Sequence, residues 1–309
     1  MTLNNLLKNL LKNWNVESIE AVEKGWSSDK KYQVRQSNGD SLLLRLSDSK
    51  NHAYKVLEFE KIKQLFDMGL PVSEPLEIGL YENQSYALYK WIEGEEARIV
   101  LPTLSTNQQY QLGYQDGQCL NQFHQIESPV EIEKWGSLFD RKIDRNRTYY
   151  QNCPLSYPQD DFILEFIASH RHLIEGRPQT YQHGDYHTGN MIINKDNQLA
   201  IIDFNRWDFG DPWEEFNRID FSSGESPAFA AGQVDGYFND DPPLLFFQLM
   251  ALYQAVNSLA SLPWALSYSQ AEIDTMMKKT EQLLIDYDGF KTVIPVWYHQ
   301  YSGGKNGEK

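Results

Sequence analysis

Several common signatures of enzyme and metal sites are missing from this sequence of 309 residues. It has only two cysteines, Cys119 and Cys153, whose separation matches no metal-binding or redox motif. We interpret them as free thiols and expect a cytoplasmic protein. The patterns G-x-x-x-x-G-K-[ST], H-E-x-x-H, G-x-S-x-G and C-x-x-C are also absent. Their absence excludes, at the level of motifs, the commoner P-loop NTPases, zinc proteases and serine hydrolases.

Positive charge is also scarce. The 28 lysines and arginines are outnumbered by 43 aspartates and glutamates, which leaves a formal net charge of −15. Nucleic-acid-binding proteins carry a basic surface, so we exclude a nucleic-acid partner, whereas a cationic ligand is compatible with this charge balance. The sequence has no long unbroken apolar run, and we therefore predict no membrane span.

The strongest signal that is present lies at residues 183–190, with the sequence His-Gly-Asp-Tyr-His-Thr-Gly-Asn. Asp185 follows His183 by two residues, and Asn190 follows Asp185 by five, which is the spacing of the protein-kinase catalytic loop. In that loop the Asp accepts the proton of the attacking hydroxyl and the Asn binds Mg²⁺. We therefore predict a phosphoryl-transfer loop here rather than a chance His-x-Asp.

A second carboxylate follows where such a site requires one. Two short apolar runs, 191–193 and 199–202, flank the turn sequence Asn-Lys-Asp-Asn, and this pattern predicts a hairpin of two buried strands. Asn190 precedes the first strand and Asp203 follows the second, so the hairpin would bring the two residues near each other. Asp203 is the candidate for the second metal ligand; the alternative is that it caps a helix.

The first ninety residues have the patterns of an antiparallel sheet. Arg45 lies inside an apolar strand, where it is either an edge residue facing solvent or a cation directed at nucleotide phosphates. Glu60 or Glu58 could pair with it, and we favour Glu60 because it lies about two and a half turns before the predicted helix end. The predicted strands are 16–22, 32–36, 41–46, 76–81 and 85–91, and the predicted helices are 3–14 and 53–68.

The rest of the chain is predicted to be mostly helical. Asp211 followed by Pro212 has the sequence of a helix N-terminus, with the aspartate as the cap. The segment 127–158 is predicted to be irregular. The predicted helices are 106–126, 162–174, 226–237, 243–262 and 271–287.

Together these features resemble the aminoglycoside phosphotransferase family, which are small-molecule kinases related in fold to protein kinases. The matching segments are 183–190, then Ile-Ile-Asp at 201–203 and Gly-Asp-Pro at 210–212, within a resemblance that runs from about 25 to 215. The resemblance implies an α+β, bilobal protein-kinase-like fold. Its implied parts are an N-terminal antiparallel sheet lobe that binds nucleotide (1–89), a linker (90–94), a larger, mostly helical lobe for catalysis and substrate (95–304) and a polar tail (305–309).

The resemblance also implies roles for single residues. Asp185 would be the catalytic base and His183 would brace the catalytic loop. Asn190 and Asp203 would hold Mg²⁺, and Arg45 with Glu60 would contact the phosphates of ATP, with GTP left open as the nucleotide. A loop would cover the triphosphate and the linker would bind adenine; the residues in question are Gly25, Ser27, Ser28, Tyr89, Lys90 and Ile92.

The acceptor is predicted to be a hydroxyl of an aminoglycoside-like, cationic small molecule bound against the C-terminal helices. Carboxylates would form its binding wall; the candidates are Asp208, Glu214, Glu215 and Asp235. Two alternatives stay open. One is a kinase of the same family that acts on a metabolite, such as an amino sugar, an amino alcohol or a sugar-like compound. The other is a nucleotide-binding pseudokinase, against which the intact Asp185, Asn190 and Asp203 argue. The sequence makes no prediction of the oligomeric state.

Overall fold

The computed structural model describes residues 7, 10–23, 29–129 and 131–301. The strands are β1 (Val16–Val22), β2 (Lys30–Gln36), β3 (Ser41–Asp48), β4 (Pro75–Tyr81), β5 (Gln84–Lys90), β6 (Glu95–Glu96), β7 (Thr180–Gln182), β8 (Met191–Ile193), β9 (Leu199–Ile201) and β10 (Asp208–Gly210). The helices are α1 (His52–Asp67), α2 (Ala97–Val100), α3 (Thr106–Phe123), α4 (Trp135–Gln151), α5 (Asp160–His170), α6 (Ile219–Glu225), α7 (Pro227–Phe238), α8 (Leu244–Ala265), α9 (Gln270–Asp286) and α10 (Val296–Tyr301). An antiparallel sheet followed by mostly helical chain confirms the predicted α+β class.

Contacts between Cα atoms divide the chain into two compact units. The sheet unit comprises Met1–Glu95 and Met191–Asn205, and the helical unit comprises Glu96–Asn190 and Arg206–Lys309. The β8–β9 hairpin is predicted above to belong to the C-terminal lobe, yet it groups with the sheet unit. The reason is local pairing: the N–H of Ile201 donates to the carbonyl of Pro71 at 2.7 Å, and Ile201 also bridges to Val72.

The sheet unit is built on a sheet with the strand order β1-β2-β3-β5-β4. Arg45 lies on β3 between Lys31 of β2 and Ala87 of β5, so it occupies a central strand and the edge interpretation is wrong. Successive residues of a strand face opposite sides of the sheet. Leu44 and Leu46 belong to the apolar core of the unit, which leaves Arg45 on the other face.

Half of the predicted N-terminal helix, residues 3–6 and 8–9, falls outside the described residues. Of its described apolar positions, Leu7 and Leu11 are buried in the same apolar core as Val34 and Leu42 of the sheet, and Leu10 and Trp14 pack against that core. Burial of these leucines fits the prediction that the segment packs on the domain. The predicted polar tail lies outside the described residues.

The helical unit has a core that α4, α5, α8 and α9 share. At its centre is α8, which is long and apolar enough to cross a membrane by length and composition: an 18-residue stretch of it has a mean hydropathy of 1.3, but 67% of that stretch is buried within the protein. Burial of this kind is typical of a core helix, and no other helix of the described chain passes the same test. Cys119 and Cys153 are free thiols, as predicted.

Two helices of this unit pack unusually closely. On α3, a Cβ added to Gly113 or Gly117 would lie 2.0 Å from a backbone carbonyl oxygen of α7. On α7, a Cβ at Gly236 would lie 2.0 Å, and one at Gly232 would lie 2.1 Å, from a carbonyl oxygen of α3. Two G-x-x-x-G segments therefore face each other and bring the two backbones into contact, as small residues do between closely packed helices.

One sequence prediction of structure is wrong. The segment 127–158 is predicted to be irregular, but it contains the seventeen residues of α4. Charged and other polar residues occupy all but one of its exposed positions and dilute the apolar signal. The buried side of α4 nevertheless repeats at helical spacing, with Trp135, Phe139, Ile143 and Tyr150.

Candidate active site

Candidate residues form two clusters, one within each unit. In the helical unit, the loop at 183–190 is fixed by the carboxylate of Glu215, which accepts hydrogen bonds from the N–H groups of His183 (2.6 Å) and Gly184 (2.8 Å). Gly184 has φ +79°, and a Cβ there would lie 2.0 Å from the carbonyl oxygen of Arg206. Only glycine fits this position, because any side chain would meet the backbone of Arg206.

Asp185 lies at the centre of this cluster among positive groups. Its Oδ1 is 2.9 Å from Nε of Arg218, 3.6 Å from Nε2 of His187 and 3.7 Å from a guanidinium nitrogen of Arg206. Burial alone would raise the pKa of Asp185, but Arg218 and Arg206 outweigh burial and hold this pKa below its ordinary value. The carboxylate is therefore ionised at neutral pH. Its buried Oδ1 has ion-pair neighbours but accepts no hydrogen bond within the described residues.

His187 is neutral at physiological pH. Burial lowers its pKa to about 4, although the Asp185 carboxylate acts in the opposite direction. Its Nδ1 accepts a hydrogen bond from the N–H of Gly189 at 3.0 Å, so Nε2 carries the proton and faces Asp185. The imidazole ring also packs on the ring of Phe221, with 5.2 Å between centroids.

Asn190 is held in a defined orientation. Its Nδ2 donates to the backbone carbonyl of Asp185 at 2.9 Å, which leaves Oδ1 as the end of the amide that is available to a ligand. The next residue, Met191, pairs with Ile201 of β9, so the predicted hairpin is present. Asp203 follows that hairpin in sequence.

Two further buried side chains, His183 and Tyr186, hold the loop at 183–190 through hydrogen bonds. His183 is fully buried, and its Nδ1 accepts a hydrogen bond from the N–H of Asp185 at 3.2 Å, which is a bracing contact. Tyr186 donates its hydroxyl proton to Asp116 of α3 at 2.6 Å, and Gln233 of α7 donates to the same carboxylate at 2.6 Å. Burial raises the pKa of Asp116 to about 7 despite both hydrogen bonds.

In the sheet unit, the second cluster is centred on Arg45. Its guanidinium is 2.9 Å from Oε1 of Glu58 and 2.7 Å from Oδ2 of Asp29, and it also donates to Oδ1 of Asn205. Burial would lower the pKa of Arg45, but Glu58 and the other carboxylates outweigh burial and raise this pKa, so the cation stays charged.

The pairing predicted for Arg45 with Glu60 is wrong. Glu58 is the partner, with 1% of its surface exposed, whereas Glu60 is exposed. Two residues apart on a helix correspond to a rotation of about 200°, so only one of the two glutamates can face the sheet. Counting turns from the helix end selected the wrong one.

A second cation in this cluster is Lys55, which the sequence analysis did not single out. Its Nζ is 2.8 Å from Oδ2 of Asp29, 2.9 Å from Oε2 of Glu58 and 3.3 Å from Oδ1 of Asn205. Lys55 precedes Glu58 by three residues on α1, so both face the same side of the helix. That spacing was a usable signal in the sequence.

Asp203 is placed by its neighbours within the same unit. Its Oδ1 accepts from Nδ2 of Asn205 at 2.5 Å, and its Oδ2 is 3.4 Å from Nζ of Lys31. The backbone of Asp203 has φ +69°, a conformation that costs energy for a residue with a Cβ and is often found at functional sites. Asn205 thus contacts Arg45 and Lys55 with its oxygen and Asp203 with its nitrogen.

The residues predicted to bind adenine and cover phosphate have mixed outcomes. Tyr89 is buried, with its ring 5.5 Å from that of Phe59, so it is a core residue. The N–H of Lys90 donates to the carbonyl of Glu74 at 2.8 Å, so it is not available to adenine, and a contact through the Lys90 carbonyl stays a prediction. The role of Ile92 stays a prediction. The covering loop with Gly25, Ser27 and Ser28 lies outside the described residues.

Most of the carboxylates predicted to bind the acceptor have structural roles instead. Glu214 is buried and bonded to Lys142 at 2.7 Å, Glu215 holds the loop at 183–190, and Asp235 accepts from two tyrosine hydroxyls at 2.6 Å each. Asp208 alone among the four candidates is exposed. Asp211 caps the short 3-10 helix Pro212–Arg218 by accepting from the N–H of Trp213, as predicted.

The helical unit contains a small polar cavity, and one of its lining residues, Phe221, packs on His187. Its volume is about 30 Å³, which is room for about one water molecule. The lining residues are Asn217, Asp220, Phe221, Gln254, Asn257, Ser258, Ser261, Met276, Lys279, Thr280 and Leu283.

Comparison with known proteins agrees with this geometry. A model of the phosphotransferase enzyme family matches residues 18–247, which is most of the chain. The chain belongs to this family. The family resemblance stated from the sequence is therefore confirmed, and so is the predicted class of enzyme, a phosphotransferase. No curated protein sequence matches this family member.

Solved structures of similar fold are aminoglycoside phosphotransferases. A thermostable mutant of APH(4)-Ia in its apo form has a TM-score of 0.67 at 16% identity, over 94% of this chain and 100% of that one. ADP-bound APH(2'')-Ib has a TM-score of 0.64 at 16% identity, over 91% and 99% of the two chains. Spectinomycin phosphotransferase APH(9)-Ia has a TM-score of 0.61 at 14% identity, over 96% and 93%. At these identities the likeness establishes the fold.

Proposed function

We propose that this chain transfers the γ-phosphoryl group of ATP to a hydroxyl group of a small molecule, with Asp185 as the base. The observation that carries the proposal is the carboxylate of Asp185, which is ionised and surrounded by positive groups. An alcohol that donates its proton to this carboxylate would be oriented for attack on a phosphorus atom.

The positive groups around Asp185 affect what the base can do. Arg218 and Arg206 keep the carboxylate charged, which makes it a weak base in the ground state. Phosphoryl transfer passes through a loose transition state in which the hydroxyl proton is lost late, so positioning matters more than basicity. Arg218 therefore holds Asp185 in one orientation while the substrate hydroxyl donates to it.

The nucleotide would be bound by the sheet unit. Arg45, held by Glu58, is a fixed cation of the kind that contacts α- and β-phosphates, and the solved structures of similar fold include one with ADP bound. GTP remains an alternative donor in this proposal, and measuring both ADP and GDP release distinguishes it from ATP.

The residues predicted to hold Mg²⁺ fit that ion. Asn190 and Asp203 offer an amide oxygen and a carboxylate, and Mg²⁺ prefers oxygen ligands, of which proteins often supply only one or two. When bound, Mg²⁺ would neutralise charge on the phosphates.

The decisive test is the Asp185→Asn variant in an assay of ADP and GDP release. We expect turnover to fall about 10²- to 10⁴-fold, the usual contribution of a general base, with the affinity for ADP unchanged. The matched control is Asp161→Asn, which changes an exposed carboxylate in the first turn of α5 of the same unit and should keep full turnover. Equal turnover in the Asp185→Asn variant would contradict the proposal, and so would a wild-type protein that binds no nucleotide.

A metabolite acceptor is favoured over a polycationic aminoglycoside by the charge balance of the residues that line this cavity. Among the described residues that line it, only Asp220 and Lys279 are charged, and they lie 3.3 Å apart and cancel. The remaining polar lining consists of amides and hydroxyls, and buried oxygens of Asn217 and Asp220 accept no hydrogen bond within the described chain. Widened to admit an acceptor, such a surface would suit a hydroxylated, neutral or zwitterionic molecule, because a polycation needs net negative charge.

A panel of acceptors tests this choice. With Asp185-dependent ADP release as the readout, sugars, amino sugars and amino alcohols should be better acceptors than aminoglycosides. A cavity-filling Ser261→Leu variant should raise the KM for the acceptor and leave the affinity for ADP unchanged. Efficient turnover of an aminoglycoside with a KM that this variant does not alter would overturn the metabolite proposal and restore the aminoglycoside-like acceptor.

A further inference from the structure

The cluster around Arg45 contains twice the charge that the proposed function requires. One cation and one carboxylate, Arg45 and Glu58, would suffice to present a fixed positive group to a nucleotide phosphate. Lys55 and Asp29 add a second pair beside the first, and all four side chains are at least largely buried, with 4% of Asp29 and 13% of Lys55 exposed.

Stability does not explain the second pair. Removing two charges from water costs several kcal/mol per ion, and a buried ion pair often contributes less to stability than apolar residues of the same volume would. Arg45 already has Glu58 as a partner, and Lys55 has Glu58 as well. Asp29 is therefore an additional anion that both cations hold.

The geometry around Asp29 is that of an anion-binding site. A single oxygen, Oδ2, lies 2.7 Å from Nη2 of Arg45 and 2.8 Å from Nζ of Lys55. A carboxylate oxygen held by two cations at these distances makes the contacts that a phosphate oxygen would make. Asp29 also directly follows the segment predicted to cover the triphosphate of the nucleotide.

We propose that Lys55 is a second phosphate-binding cation and that the Asp29 carboxylate occupies the position of a nucleotide phosphate oxygen until the nucleotide displaces it. This inference rests on the proposed function, because it concerns the same nucleotide. Asp29 keeps Arg45 and Lys55 in place while no phosphate neutralises them. Its displacement makes nucleotide binding weaker than the two cations alone would allow.

Calorimetry on the full-length protein, with ADP and adenosine as the two probes, tests both parts. Lys55→Met should weaken ADP binding about tenfold or more, the loss expected for a charge-assisted contact, and leave adenosine binding unchanged. Lys55→Arg should retain most of the affinity for ADP. The matched control, Lys63→Met, changes an exposed lysine of the same helix and should have no effect.

Asp29→Asn is the opposite test, because it removes a competing anion. We expect it to bind ADP about threefold to tenfold more tightly than the wild type, with adenosine unaffected. Unchanged or weaker ADP binding in this variant would overturn the displacement, and equal losses of ADP and adenosine affinity in Lys55→Met would overturn the role of Lys55. These outcomes leave the proposed function intact if the wild type binds ADP; a wild type that binds no ADP overturns both.

Discussion

Two buried glutamates, one in each unit, are held in different ways. In the sheet unit, the carboxylate of Glu58 forms ion pairs with Arg45 and Lys55, and so does that of Asp29. In the helical unit, the buried carboxylate of Glu215 receives backbone N–H groups. Ion pairs can exchange one anion for another without a change of backbone, whereas a carboxylate bonded to backbone N–H groups fixes the course of the chain.

This difference matches what the proposed reaction asks of each unit. A nucleotide phosphate must enter and leave, so its binding cations need partners that can be replaced. A catalytic loop must hold its base within a fraction of an ångström of one position. The ion pairs around Arg45 therefore suit the exchange of one anion for another, and the hydrogen bonds of Glu215 suit a loop of fixed geometry.

The largest effect is expected where the helical unit is most rigid, at the contact of α3 with α7. Gly117→Val would place a branched side chain where a Cβ already lies 2.0 Å from the carbonyl oxygen of Gln233. We expect a loss of about 3 kcal/mol or more in the free energy of unfolding, measured by urea denaturation. Gly224→Ala is the control, because nothing lies within 4 Å of its added Cβ. Equal stability of the two variants would show that the helices can separate at little cost.

Substitutions at Glu215 and Glu58 test the comparison between a carboxylate bonded to backbone N–H groups and one held in ion pairs. Glu215→Gln replaces an oxygen that accepts a backbone N–H by an NH₂ group, at a cost of about 1–3 kcal/mol, and should lower kcat with ADP affinity unchanged. Glu58→Gln should weaken ADP binding and alter kcat less. Glu60→Gln, exposed on α1, serves as the control for both. If Glu215→Gln weakened ADP binding as much as Glu58→Gln does, the proposed division between the units would be wrong.

A third way of burying a carboxylate is seen at Asp116, which accepts hydrogen bonds from two neutral side chains and has no cationic partner among the groups that shift its pKa. The pH dependence of stability tests it. Its folded-state pKa is raised to about 7, so the protonated carboxyl favours the folded state, and this contribution is lost as pH rises from the unfolded value of 3.8 through about 7. From pH 5 to pH 8 the wild type should lose on the order of 2 kcal/mol relative to Asp116→Asn, in which the group cannot ionise. Urea denaturation at both pH values measures the difference. Parallel pH profiles would show that Asp116 stays ionised across this range.

The sequence predicts best what depends on short spacing. Asp185 and Asn190 are placed by their separation within one loop, and the β8–β9 hairpin by two apolar runs around a turn. Glu60 was preferred to Glu58 because tertiary packing decides which side of α1 faces the sheet, and local sequence does not show it. Glu215 lies about thirty residues after the loop that it holds, and no local pattern relates the two.

The glycine contact between α3 and α7 shows the same limit. Each helix carries a visible G-x-x-x-G segment, but the sequence does not say that Gly117 and Gly236 belong to one interface more than a hundred residues apart. Helix α4 was missed for the opposite reason: its exposed face is so rich in charge that the local composition concealed a buried face. Long-range packing decides both cases.

The smallest effect is expected at the N-caps of α7 and α3, the two helices that pack through glycines. One cap is buried and the other is exposed, so the two can be compared. Ser226 begins α7, accepts from the N–H of Phe229 at 3.1 Å and donates to Gln109 of α3 at 2.6 Å, with 1% of its surface exposed. Ser105 begins α3 with a capping box but is exposed. Ser226→Ala should cost about 1–2 kcal/mol and Ser105→Ala about 0.5–1 kcal/mol in urea denaturation, because only the first leaves a buried N–H and a buried amide oxygen without partners. A larger loss for Ser105→Ala would mean that water can reach the start of α7, and the contact of the two helices would then be less tight than the glycine distances indicate.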